Sequence, residues 1–461
     1  MESRWVLSAT IFFIYFVIMM NWSTYIYRFK ATSTNNFSKK TITTFRRKQT
    51  QFPLNCFNGN MTLTCPKDYY PTRFEQYQDS STESTCPEYF KWIHEDLKPW
   101  KRTGITREMV ERGQNVSHFR LVIIQGKAYA EKYAYSYQTR DVFTIWGILQ
   151  LLRLYPGNIP DLELLFETGD RTVVEKQNFQ ESPPPPIFHY CGQKNAYDIV
   201  FPDWSFWGWA ELAIRPWEAL LQSIEEGNKK IKWKDRLPYA FWKGNTMVSY
   251  KRYDLTKCNA SDQHHSYAHI YPLSWDKEIE RGFKNTKLEH QCVHRYKIYV
   301  EGVAWSVSEK YILACDSMTL FIEPIFYDFF TRSLVPRKHY WPISNTNQSM
   351  CNDIKYAVDW GNANPDKAEA IGKAGTSFIE ENLKMKFVYD YMFHLLNEYA
   401  RLLRFEPTIP AGAVEICSEN FACPLNGIWR EYMVESMVKS PSDTPPCTMA
   451  SPYGENEGEE K

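Results

Sequence analysis

Residues 294–324 read "HRYKIYVEGVAWSVSEKYILACDSMTLFIEP", and this stretch constrains the fold more than any other. Two strand-like runs, "HRYKIYVEG" and "MTLFIEP", flank a segment, "WSVSEKYILACDS", that reads as a helix. Parallel strands need a crossover, usually helical, so strand, helix and strand in this order predict an α/β unit with a parallel sheet. Ser306 opens the helix and Glu309 follows three residues later, the spacing of a capping box. A capped helix start directly after a strand and a small-residue turn has two readings. It serves ordinary packing, or its N-terminus holds something negative such as a pyrophosphate.

The same alternation runs along most of the chain. "FRLVIIQG" reads as a strand with "KAYAEKYAY" as its hairpin partner, and "RDVFTIWGILQLLRLYP" as a helix ended by Pro156 and Gly157. "DLELLFETGD" is a buried strand running into a loop, and "SPPPP" a stiff loop that cannot lie in a central strand. "YDIVFPDWSFWGWAEL" is a short strand broken at Pro202, followed by an aromatic loop; "LPYAFWKGN" and "HYWPIS" add strands. Beyond Lys367 the pattern turns helical. The 461 residues exceed one ordinary core, and the reading is α/β with mostly parallel sheets in two Rossmann-like blocks divided near residue 235. These are an N-terminal domain over 81–235 and a C-terminal domain with closing helices over 236–440.

The ends read differently. "WVLSATIFFIYFVIMMNW", residues 5–22, holds no charge and is long enough to cross a bilayer, so a signal anchor is expected after a short tail of residues 1–4. Residues 23–80 have the composition of a stem, in which Cys56 and Cys65 are candidates to close a local loop; 441–461 reads as a tail. Arg28, Lys30, Lys39 and Lys40 outnumber Arg4 and argue against a lumenal body. Sequons at Asn36, Asn60, Asn115, Asn259 and Asn347, with eleven cysteines that show no C-x2-C spacing, argue for it and for disulfides. With 54 basic and 54 acidic residues, no charge steers the chain toward nucleic acid.

Ligands in open α/β sheets collect beyond the carboxyl ends of strands. Four loops qualify: 167–171, 203–211, 243–252 and 302–309. In the first, an apolar strand delivers Asp170, a carboxylate able to serve as general base toward a hydroxyl, with Glu167 as its competitor. The third offers a turn at Gly244 and the cations Lys243, Lys251 and Arg252; an arginine fork suits a diphosphate. The fourth offers backbone amides and the hydroxyls of Ser306 and Ser308. A solvated basic loop and a plain helix cap are the bland alternatives. No Asp-x-Asp pair or G-x-S-x-G elbow occurs, and His264, His265 and His269 read as a polar surface loop, so no metal is expected. Aromatic residues make up 16% of the chain, which suits stacking on sugars as well as large cores.

Taken together, "YDIVFPDWSFWGWAEL", "LPYAFWKGN…RYDLTKC", "CVHRYKIYVEGVAWSVSEKYILACDSMTLFIEPIFYDFF", "HYWPI", "YAVDWGN" and "VYDYMFHLLNEYARLL" resemble glycosyltransferase family 90, the Rumi-like protein O-glucosyltransferases and capsule-associated relatives, and most closely its plant members. The resemblance implies a GT-B fold of two Rossmann-like domains facing a cleft, and inverting, metal-independent transfer from a UDP-sugar without a cofactor. It matches Asp170 to the family's catalytic aspartate and Gly244, Asn245 and Arg252 to its donor loop. Val303, Ala304, Trp305, Ser306, Val307 and Ser308 match the segment that contacts the donor. Trp204, Ser205, Phe206, Trp207, Gly208 and Trp209 match a segment on the acceptor side. Two positions depart: Gly169 and Ser308 stand where animal members carry arginine, with Arg252 and Lys310 the cations left to compensate. The expected protein is a type II Golgi enzyme, with the endoplasmic reticulum as runner-up, moving glucose or xylose from UDP to a cell-wall glycan or glycoprotein. A glycan-binding protein without catalysis and an O-glucosyltransferase acting on serine in disulfide-rich repeats are the alternatives.

Overall fold

The computed structural model describes Phe52, residues 54–56, Cys65 and residues 84–450 apart from 260–266, Asn285 and 347–348. The expected anchor and nearly all of the stem lie outside these residues. No helix among the described residues is long and apolar enough to cross a membrane.

Two sheets organise the chain. The first contains β1 (Phe119–Ile124), β2 (Lys127–Lys132), β3 (Leu162–Phe166), β4 (Ile187–His189) and β6 (Ile199–Val200), while β5 (Gly192–Gln193) lies outside it. The second contains β7 (Leu237–Gly244), β8 (Ala268–Pro272), β9 (His294–Tyr299), β10 (Met318–Ile322) and β12 (Trp341–Ile343); β11 (Phe326–Tyr327) pairs with β5 instead. The last strand, β13 (Val414–Ile416), returns to the edge of the first sheet beside β2. The second sheet is parallel throughout, as the crossover reading requires. The first is mixed: β3, β4 and β6 are parallel, but β1, β2 and β13 pair antiparallel. Gln125 and Gly126, at φ 49° and 75°, make the tight turn that allows β1 and β2 to form a hairpin.

All five residues of β3 and all five of β10 are buried, because both faces of each sheet are covered. Helix Arg140–Leu154 is buried over almost its whole length. At Gly147 a Cβ would lie 2.4 Å from the Trp207 ring, so glycine lets the aromatic loop pack directly on this helix. Helix Met385–Leu402 returns to the first sheet, with Trp207 Nε1 donating to Tyr389 at 2.9 Å and Tyr399 to the Glu163 carbonyl at 2.9 Å. Several helices had no counterpart in the sequence reading, the longest being Trp217–Asn228 and Met350–Ala363.

Five disulfides join Cys56 to Cys423, Cys65 to Cys417, Cys86 to Cys447, Cys258 to Cys351 and Cys292 to Cys315, leaving Cys191 free and buried. The local Cys56–Cys65 loop does not form. Instead Phe52 N donates to the Lys439 carbonyl at 2.8 Å, and Cys56 and Cys65 each meet a partner in the C-terminal segment. The stretch read as a tail is likewise tied back as far as Cys447.

The capping box at Ser306 is absent. The helix is only Ser308–Leu313, with Val307 at its N-cap and no side-chain cap. Glu309 cannot turn back, because its carboxyl is buried and accepts from Thr331 Oγ1 at 2.9 Å. The Ser306 hydroxyl is engaged by Arg252 at 3.1 Å and by Ser308 at 2.8 Å. His269 is not in a surface loop but in β8, stacked on Tyr239 with ring centroids 3.8 Å apart; His264 and His265 lie outside the described residues.

Candidate active site

In the second sheet, β8 lies on one side of β7 and β9, β10 and β12 on the other. The order therefore reverses between β7 and β9, and the loops leaving their carboxyl ends bound a crevice. These are the loops 243–252 and 302–309. Arg252 sits on the short helix Tyr250–Leu255, whose start is capped by the Ser249 hydroxyl. Its Nε donates to the Glu301 carbonyl at 2.8 Å, Nη1 to the Asn245 carbonyl at 3.3 Å, and Nη2 to Ser306 Oγ at 3.1 Å. Gly244 and Asn245, Arg252 and Ser306 thus converge from neighbouring strands, and Ser306 brings Ser308. No carboxylate among the described residues lies within ion-pair distance of Arg252. Burial lowers its pKa to about 10, against the opposing influence of Tyr299 and Asp170. Lys251 is committed elsewhere, 2.7 Å from Glu301 in a buried pair.

The first sheet presents its own carboxyl ends. Glu167, just past β3, is buried, and its two oxygens each accept from Gly169 N at 2.9 Å. His118 Nδ1 lies 3.1 Å from one oxygen and His189 Nε2, just past β4's centre, 2.8 Å from the other. Burial alone would raise the carboxyl's pKa; the contacts from His118 and His189 and the Gly169 amide outweigh it and hold it at about 2. The clamp on Gly169 fixes the turn that delivers Asp170. A Cβ at residue 169 would stand 2.7 Å from Glu167 Oε1, so a side chain cannot fit without breaking the clamp. The Asp170 side chain remains 43% exposed, and its Oδ1 lies 3.2 Å from Arg140 Nη1. Arg140 is itself buried, donates to the Thr168 carbonyl at 3.1 Å and rests over the Trp204 ring at 4.4 Å.

The two sets of loops face each other. Trp305 packs against Tyr190, His189 and Trp204 of the first sheet's side, with centroids 5.7, 6.1 and 6.2 Å away. The Asp170 charge is near enough to act on Arg252. Asp170, the Gly244–Asn245 turn, Arg252 and the segment Val303, Ala304, Trp305, Ser306, Val307 and Ser308 therefore come together where the loops of the two sheets meet, with Ala304, Trp305 and Ser306 buried there. The aromatic segment does not offer an open platform there. Trp204, Ser205, Phe206, Trp207 and Gly208 are buried, and only Trp209 is half-buried. Lys310 does not replace the missing arginine either: its ammonium is buried, 2.9 Å from Asp203 and 2.8 Å from Ser205 Oγ.

Arg140, His118 and His189 were not found by sequence reasoning. Arg140 looks like an ordinary first-turn residue of a helix, and the two histidines stand at the ends of apolar strand runs, His118 just before β1 and His189 closing β4; only contacts across the fold give them a role. Among the described residues, the one trio of possible metal ligands is Cys86, His394 and Cys447, two of which are joined as a disulfide.

The family described as Glycosyl transferase family 90 matches residues 81–460, which include both sheets and every loop of the cleft. The chain belongs to this family. Its similar proteins include "Protein O-glucosyltransferase 1" of Bos taurus and of Homo sapiens, each 26% identical over 357 residues, 74% of this chain and 87% of theirs. "O-glucosyltransferase rumi" of Drosophila melanogaster is 24% identical over 349 residues, 70% of this chain and 79% of its own. This family 90 member is a glycosyltransferase of mixed α/β architecture, stabilised by disulfides.

Proposed function

We propose that the protein transfers glucose from UDP-glucose to an acceptor hydroxyl, with inversion and without a metal, from a cleft of GT-B type. The observation that carries the reading is Arg252: a half-buried guanidinium hydrogen-bonded only to neutral oxygens, opposite a carboxylate that lies half-open to solvent. A diphosphate supplies the missing counter-charge, gripped by Arg252 and by the hydroxyls of Ser306 and Ser308. The helix that follows is too short for its dipole to carry the site, so these side chains and the amides beside them do the binding. Val303, Ala304 and Trp305 shape the wall against the donor, with Gly244 and Asn245 forming the adjoining turn.

In the reaction, the acceptor oxygen attacks the anomeric carbon from the face opposite the UDP. Asp170 takes the hydroxyl proton as that bond forms, the bond from the anomeric carbon to the UDP oxygen breaks, and UDP departs with the electron pair. A charge-matched donor group at the leaving oxygens contributes on the order of 3 kcal/mol of transition-state stabilisation. Arg140 orients the Asp170 carboxylate. The relatives' names, O-glucosyltransferases, support glucose over xylose as the sugar. A lumenal body anchored by residues 5–22 in the Golgi membrane remains part of the reading, resting on the uncharged segment and the sequons.

The test is UDP release from a panel of UDP-sugars, together with UDP calorimetry on wild type and Arg252→Ala. The reading expects turnover of UDP-glucose and at least a ten-fold loss of UDP affinity in the variant. UDP affinity unaltered by Arg252→Ala would refute it.

A further inference from the structure

The loop between β2 and helix Arg140–Leu154 exposes two tyrosines, Tyr135 at 93% and Tyr137 at 66%. Large rings this open to water on a loop are unremarkable when the loop is loose. This one is pinned at three places. Ser136 Oγ accepts from Thr168 Oγ1 at 2.8 Å, which ties it to the turn that delivers Asp170. Gln138, held at φ 58°, accepts from Trp209 Nε1 at 2.7 Å. Thr139 donates through its amide and hydroxyl to Glu211 Oε1, at 3.0 and 2.8 Å. The 204–211 segment thus serves the cleft from one layer beneath: its tryptophans are packed away, and Trp209 and Glu211 fix the loop that does reach solvent.

Tyr137 is also close to the base. Its ring lies 5.2 Å from the Arg140 guanidinium, and that guanidinium is 3.2 Å from Asp170. The Tyr137 ring and the Asp170 carboxylate thus flank one guanidinium.

We propose that Tyr137 is an acceptor subsite, on which a pyranose ring of a glycan acceptor stacks while its neighbouring hydroxyl reaches Asp170. The inference rests on the transferase reading above and names the acceptor class. A pyranose has an apolar C–H face and a polar rim; a fixed tyrosine ring bordered by Ser136, Gln138 and Thr139 presents the complement of both. A folded protein acceptor asks for more. A stable protein interface buries about 800 Å² on each partner around an apolar centre. Here the two exposed rings are separated by Ser136 and followed by Gln138 and Thr139, so they form no broad apolar surface.

The experiment compares wild type, Tyr137→Ala and Tyr137→Phe in the full chain with UDP-glucose as donor. Acceptors are labelled xylo-, gluco- and manno-oligosaccharides, with a folded disulfide-rich protein domain alongside. The subsite predicts transfer to at least one oligosaccharide, with an acceptor KM raised about ten-fold in Tyr137→Ala and within about two-fold of wild type in Tyr137→Phe, while the donor KM stays within two-fold in both. An unchanged acceptor KM in Tyr137→Ala overturns it, as does transfer confined to the protein domain or to no acceptor while UDP-glucose still binds. A wild-type chain that neither binds nor turns over UDP-glucose removes the transferase reading itself, and the subsite with it.

Discussion

Replacing Glu167 with glutamine tests whether the turn bearing Asp170 is held by charge. The carboxyl is buried and its pKa stands at about 2, against an ordinary 4.5, because the contacts from His118, His189 and Gly169 favour the ionised form over the cost of burial. That gap corresponds to about 3 kcal/mol of folding stability. The folded-state pKa lies below the unfolded one, so this contribution is complete above pH 4.5 and is lost as pH falls toward 2. Glu167→Gln should therefore lower stability by about 3 kcal/mol at pH 7, and by less than half of that at pH 3. The amide also turns an N–H₂ toward Gly169, so one of the two acceptors for its N–H is lost and the Asp170 turn loosens. A misplacement of about 1 Å there costs on the order of 100-fold in turnover. Urea denaturation at pH 7 and pH 3, with kcat measured on the same preparations, reads both effects. A variant as stable as wild type at pH 7, or a stability gap that persists unchanged at pH 3, would refute the electrostatic account.

Other consequences are independent of that clamp. Lys310→Met leaves Asp203 buried beside Asp328, whose carboxyl is already pushed well above its usual range by burial and by Asp203. A loss of about 3–5 kcal/mol follows, visible as a lowered unfolding midpoint. Gly169→Ala drives a methyl group into Glu167, so transfer should fall at least ten-fold while UDP affinity, read by calorimetry, is retained. Mass spectrometry of the unreduced protein should recover peptides linking Cys56 to Cys423 and Cys65 to Cys417; a Cys56–Cys65 peptide would contradict the fold's closure.

The parallel sheet was legible because its strands are short apolar runs punctuated by turns and helices, and β7, β9 and β10 lie where "LPYAFWKGN", "HRYKIYVEG" and "MTLFIEP" put them. The loops past β7 and β9 were legible for the same reason. The helix cap was misjudged because the S-x-x-E spacing says nothing about where the two side chains go, and tertiary partners claimed both Ser306 and Glu309. The burial of the tryptophans of 204–207 was not legible because a run of aromatic residues looks alike whether it lines a cleft or fills a core; Gly147, on which Trp207 packs, lies some 60 residues away. Long-range closure was the least accessible. A cysteine carries no local sign of its partner, and three of the five bridges span more than 350 residues.

The most direct measurement of the central claim is glucosyl transfer by Asp170→Asn, with UDP binding followed on the same protein. Loss of the base should cost about 100- to 10,000-fold in turnover. UDP affinity should hold or rise, since a negative charge facing Arg252 and the diphosphate has been removed. Turnover within a few-fold of wild type would contradict the assignment of Asp170 as the base.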